Sequence, residues 1–154
     1  MKKTRYAYAA GLVDGEGSIS LIYTSGKARF RLAEVSVAST TPEIVEWLHA
    51  HFNMCVLTTH QAHSRLPILA AKLRCAAAVR FLTKILPYLR HPEKRHRARL
   101  LVENYARLVL PGRCPPERVK ARLAFERAFF DHPLTQARQQ QRPQLRPVHH
   151  KSSF

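Results

Sequence analysis

Asp14 and Glu16 stand on either side of Gly15, inside the stretch Ala9-Ala10-Gly11-Leu12-Val13-Asp14-Gly15-Glu16-Gly17-Ser18. The chain has five glycines, and three of them (Gly11, Gly15 and Gly17) fall within this short run. Residues from Thr4 to about Asp14 have helical composition, and Ser18–Thr24 have strand composition with partial alternation. The two carboxylates therefore lie where a helix ends. A helix C-terminus carries negative partial charge, so acids are unfavourable there unless something positive compensates. A hard divalent cation, bound through carboxylate and backbone carbonyl oxygens, would do so. Gly15 and Gly17 permit a sharp helix-to-strand turn, and Gly11 leaves a helix surface with no side chain, open to close approach by a second helix. The plain alternative is an acidic turn, Asp-Gly-Glu-Gly, that joins two elements and does no chemistry.

No other cluster competes for a metal. His49 and His51 are two residues apart on an expected helix and cannot share a face, and His149-His150 lie near the C-terminus. An HNH-type or zinc nuclease site is not supported. Cys55, Cys75 and Cys114 stand alone, form no CxxC and are odd in number, which argues against both a disulfide framework and a zinc site.

The elements that must position the acidic turn follow from local pattern. After the first strand, Ser25-Gly26-Lys27 reads as a turn. Arg29-Phe30-Arg31-Leu32 and Val35-Ser36-Val37 then alternate out of phase, which one extra residue near Ala33-Glu34, a β-bulge, would reconcile. Thr41-Pro42-Glu43 opens a helix with an N-cap, a proline at N1 and an acid in the first turn. Ile44, Val45, Leu48 and Phe52 supply its apolar stripe, and Asn53 ends it. Residues 54–73 read as a second hairpin with its connection at Gln61–Pro67. Ala76–Leu86 is a helix bounded by Pro87. Further helices are expected at about Arg97–Leu110 and Pro116–Phe130. Residues 134–154, rich in Gln, Arg, Pro and His, have the composition of a disordered basic tail, which leaves residues 1–133 as one folded domain.

The chain has 154 residues, 26 Lys or Arg against 10 Asp or Glu, and a net charge of +16. Residues 137–154 hold four basic and no acidic side chains, so residues 1–136 still carry +12. A folded region that is basic along its length points to nucleic acid more strongly than a charged tail does. The 45% hydrophobic content is globular, and no run of eighteen apolar residues offers a transmembrane span, so no membrane partner is expected. The N-terminus has no signal-peptide core or cleavage site. An intracellular protein is the expectation, in cytoplasm, nucleoid or an organelle, with no targeting signal evident.

The ten-residue stretch resembles the LAGLIDADG motif of the homing endonucleases, with Ala9 in the place of the first leucine, Val13 for isoleucine and Glu16 for the final aspartate. The element order after it resembles that family's αββαββα core, an α+β (mixed α/β) fold with a saddle-shaped antiparallel sheet, over roughly residues 4–110, with extra C-terminal helices. The resemblance implies that motif helices pack together at a two-fold axis through Ala10, Gly11 and Asp14. It implies that Glu16 binds Mg²⁺ at the scissile phosphate with the Gly15 carbonyl as a second ligand. Mn²⁺ would substitute, and Ca²⁺ would support binding without cleavage. Glutamate for aspartate adds one methylene of reach. A second copy of the motif is absent, so the resemblance implies a homodimer that cuts a long, near-palindromic duplex on both strands and leaves 3′ overhangs.

By the same resemblance Lys94 is the basic residue near the phosphate, and Ser39 is the polar residue that orders water there. A solvated or phosphate-contacting lysine and a helix-capping serine remain alternatives. The polar face of the hairpins would read DNA, since a sheet ribbon fits the major groove. Its candidates are Ser20, Ile22, Thr24, Lys27, Arg29, Arg31, Ser36, Arg65, Lys72 and Arg74. Two other functions on the same fold stay open: a maturase acting on its host intron RNA, and a catalytically silent DNA-binding protein.

Overall fold

Alternation along Leu32–Ser39 divides the molecule into two sides. Ala33, Val35 and Val37 are fully buried, while Ser36 between them is half-buried and Ala38 is exposed. A strand with one apolar and one polar face needs a cover on one side only. The computed structural model describes residues 2–26, 28–59, 67–109 and 115–132, and in it the helices supply that cover. The elements are α1 (Lys2–Glu16), β1 (Gly17–Ile22), β2 (Leu32–Ser39), α2 (Pro42–Phe52), β3 (Cys55–Thr59), β4 (Ile68–Arg74), α3 (Cys75–Ile85), a 3₁₀ turn (Leu86–Tyr88), α4 (Pro92–Leu108) and α5 (Pro116–Phe130). The four strands form one antiparallel sheet in the order β1-β2-β4-β3. The two hairpins thus meet through β2 and β4, which become the central strands.

The core lies between the sheet and the helices. Ile19 and Leu21 of β1, the alternate β2 residues and Ala71 of β4 meet Ala9, Ala10 and Val13 of α1, Val45 and Leu48 of α2, and Phe81, Leu82 and Ile85 of α3. Each such large side chain contributes about 1.5–3 kcal/mol on burial. Leu101, Tyr105 and Leu108 of α4 and Phe125 and Phe129 of α5 extend the same cluster. The Tyr105 hydroxyl accepts from the Ala33 N–H at 3.4 Å, and burial raises the pKa of its phenol above the ordinary value.

Pro42 at N1 and Glu43 in the first turn start α2 as expected, but Thr41 makes no side-chain cap. Instead the Ser39 hydroxyl accepts from the Thr41 N–H at 3.0 Å. Asn53, in the left-handed region at φ 53°, ends the helix and donates to the His49 carbonyl.

Three expectations are corrected. No β-bulge interrupts β2: its register with β1 is continuous from Gly17↔Val37 to Ile22↔Leu32. Arg29-Phe30-Arg31 precede the strand, and Phe30 and Arg31 answer to α5. The Arg122 guanidinium stacks 4.3 Å from the Phe30 ring centroid and donates to the Arg31 carbonyl at 2.9 Å. Glu126 accepts from the Arg31 N–H and from its guanidinium. Second, α1 does not stop at Asp14 but runs through Glu16. Third, α4 starts at Pro92 rather than near Arg97, because His91 caps it by accepting from the Lys94 N–H at 3.5 Å, Pro92 is at N1 and Glu93 is in the first turn. No helix of the described residues is long and apolar enough to cross a membrane. The tail expected at 134–154 lies outside the described residues.

Candidate metal centre and nucleic-acid face

Gly17 makes the motif's geometry possible. A Cβ there would lie 2.6 Å from Val13 Cα and 2.8 Å from its carbonyl oxygen, so β1 leaves α1 against the helix's own last turn. At Gly11 and Gly15 a Cβ would meet nothing within 4 Å. Both are exposed and share a face of α1 with Thr4 and Ala7. Ala10, expected beside Gly11 at an interface, is instead fully buried in the chain's own core. One residue of helix turns a side chain by about 100°, enough to move it from one face to the other.

Asp14 and Glu16 have different surroundings. Asp14 is half-buried, and its Oδ2 accepts from the Arg90 N–H at 2.7 Å, while Oδ1 is buried and has no partner among the described residues. Glu16 is exposed and makes no hydrogen bond or ion pair among the described residues. Lys94, from the first turn of α4, reaches the same place. Its Nζ donates to the Val13 carbonyl at 2.8 Å and to the Asp14 carbonyl at 2.7 Å. Lys94 thus satisfies two carbonyls of the α1 terminus and sets a cation against the negative end of its dipole. Its neighbour Arg97 is held elsewhere, by Glu93 at 2.7 Å and against the rings of Phe129 and Phe130.

Among the described residues no group of three or more His, Cys, Asp and Glu side chains comes together to hold a metal ion. Glu16 is therefore not part of an all-protein cage. One exposed carboxylate beside backbone oxygens fits a hard cation that keeps most of its coordination shell for water and phosphate, as Mg²⁺ does. Ser39, at the end of β2, lies two residues past Val37, the partner of Gly17. It shares that end of the sheet with Glu16, and its hydroxyl caps the start of α2.

The side of the sheet away from the helices is a set of cross-strand rows. Ser18, Ser36, Lys72 and Cys55 form one, and Ser20, Glu34 and Arg74 the next, with Ile22 and Leu32 beyond. Of the expected DNA-reading residues, Ser20, Ile22, Ser36, Lys72 and Arg74 are brought together on this face. Thr24 and Arg29 are exposed in the segment between β1 and β2. Arg31 is corrected: it is ion-paired to Glu126 at 3.0 Å and sits between the rings of Tyr23 and Phe130, so its charge is used inside the chain. Lys27 and Arg65 lie outside the described residues. Sequence reading missed Glu34, which pairs with Arg74; its signal was the one acid in an otherwise neutral or basic strand.

No protein-family model and no curated protein matches the chain. Solved structures do. The homing endonuclease I-CvuI in complex with its target matches at 18% identity, over 83% of this chain and 81% of that one, with a TM-score of 0.65. The archaeal intron-encoded homing endonuclease I-Vdi141I, complexed with DNA, matches at 14% identity over 84% of each chain, with a TM-score of 0.64. The LAGLIDADG homing endonuclease I-GzeII, in complex with its DNA target, matches at 12% identity over 79% of this chain but 43% of its own, with a TM-score of 0.59. The five helices and four-stranded antiparallel sheet of the chain thus have the fold of the LAGLIDADG homing endonucleases.

Proposed function

We propose that the chain is a site-specific, divalent-metal-dependent DNA endonuclease that acts as a homodimer and makes a staggered break in a long, near-palindromic duplex. The observation that carries this reading is Glu16: an exposed carboxylate with no partner among the described residues, next to the first residue of β1, in a chain of net charge +16. An acid so placed repels phosphate unless a cation lies between them. Mg²⁺ would be held by the Glu16 carboxylate and the Gly15 carbonyl. When bound, such an ion polarises the phosphate and lowers the pKa of a water.

The chain's own groups do the rest. Lys94 fixes the carbonyls that precede Glu16 and adds positive charge where phosphate charge develops. Ser39 keeps a hydroxyl hydrogen for a water at the same end of the sheet. The open face lies along the major groove, and basic side chains release counterions from the backbone.

Dimerisation is supported by coverage: the chain spans most of I-CvuI and I-Vdi141I but under half of I-GzeII. Gly11 and Gly15 are exposed on one face of α1, where an added Cβ would meet nothing within 4 Å among the described residues. A second copy would cover that face. I-CvuI has been seen on its target with calcium present, in keeping with a divalent ion that supports binding. The test is incubation of the purified protein with a library of duplexes and Mg²⁺ or Mn²⁺. Paired nicks with 3′ overhangs, and two chains per duplex by light scattering, are the expected result. Binding with no nicking in either metal overturns the enzyme reading and leaves a DNA-binding protein.

A further inference from the structure

Glu34 is the one acid in the four strands among the described residues, and it lies on the open face. A carboxylate on a surface that meets DNA needs a reason, because it weakens nonspecific attraction to phosphate. Its direct cross-strand partner on β4 is Arg74. Arg74 Nε donates to Glu34 Oε2 at 2.7 Å. The Glu34 side chain is 11% exposed and that of Arg74 is 52% exposed, so the acid forms the floor and the guanidinium the outer layer. With Nε engaged, the two Nη groups have no partner among the described residues. They present parallel N–H donors, the arrangement that matches O6 and N7 of guanine.

We propose that Glu34 is a positioning residue that aims Arg74 at a guanine in the major groove, once in each half of the target. This rests on the open face being the DNA-reading face, as proposed above. The row also places the base. Ser20, the β1 member of the row, is three residues along β1 from Gly17, the residue next to Glu16, about 10 Å at strand rise. That is about three base-pair steps of duplex at 3.4 Å each, so the guanine lies about three base pairs outward from the phosphate at Glu16.

The test is selection of bound duplexes from a randomised pool in Ca²⁺, which needs no cleavage. The unaltered protein is expected to enrich one guanine per half-site at that spacing. Arg74→Lys keeps the charge but loses the paired donors, and discrimination at that base falls roughly ten- to a hundredfold with other positions unchanged. Glu34→Gln lowers discrimination at the same base while raising affinity for random-sequence DNA, two changes of opposite sign that a merely structural role would not produce. Thermal melting of both variants separates loss of aim from loss of fold. A profile unchanged by Arg74→Lys, or uniform weakening by Glu34→Gln, overturns the proposal. Guanine selection without nicking in Mg²⁺ supports it while sinking the nuclease reading; cutting with a profile indifferent to Arg74 does the reverse.

Discussion

Glu16 and Glu126 stand at opposite ends of the β1–β2 pair, and they are used in opposite ways. Glu126, on α5, has a side chain only 7% exposed, and both its oxygens accept hydrogen bonds from Arg31, one from the backbone and one from the guanidinium. Arg122 completes the cluster by donating to the Arg31 carbonyl. Glu16 is exposed and bonds to nothing among the described residues, although Lys94 is anchored to the two residues just before Asp14's neighbour Gly15. A buried acid with two satisfied oxygens holds structure together, because removing it strands its partners. An exposed acid without partners contributes little to its own fold. Its charge is available to something outside the chain, and the proposed function gives it a divalent cation.

The comparison can be broken at either end. Glu16→Gln should lower DNA cutting about a thousandfold or more, with affinity in Ca²⁺ and melting temperature nearly unchanged; nicking and binding assays on one preparation decide it. Glu126→Ala should do the reverse, costing about 3 kcal/mol of stability through the stranded Arg31, read by denaturant or thermal unfolding. Gly17→Ala should cost about 1–3 kcal/mol, since its Cβ meets backbone rather than a movable side chain, and should also lower cutting by shifting Glu16. Lys94→Met should cost about 1–2 kcal/mol by leaving two α1 carbonyls without their partner, and its cutting should fall further than that loss accounts for. Ser39→Ala should be the mildest, about 1 kcal/mol or less from the lost α2 cap; a larger drop in cutting than in stability would assign it a part at the phosphate.

The motif was legible because its signals are local. Three closely spaced glycines, two acids and a helix-to-strand change of pattern all lie within a few residues. The α2 start, with Pro42 and Glu43, was read by the same rules that would have found the start of α4 at His91-Pro92-Glu93, but the surrounding run of basic residues masked it. The bulge was a misreading of Phe30. Its phase made sense within a strand, whereas its partner is Arg122, some ninety residues away, and no local window contains both. Arg31 was misplaced for the same reason. Ala10 failed on angle: adjacent residues of one helix face different neighbours, and only the packed core says which face is inside.

The sequence by itself determined the α+β order of elements, the acidic exception in a basic chain and the position of the carboxylate, all consequences of spacing and composition. The tertiary structure decided what each charge is for. Folding buries Glu126 against Arg31, seats Lys94 on the end of α1, aligns Glu34 with Arg74 across two strands and leaves Glu16 exposed. Those choices depend on contacts between distant residues, where burial and partner geometry, not residue type, set whether a charge is satisfied within the chain or presented to a ligand.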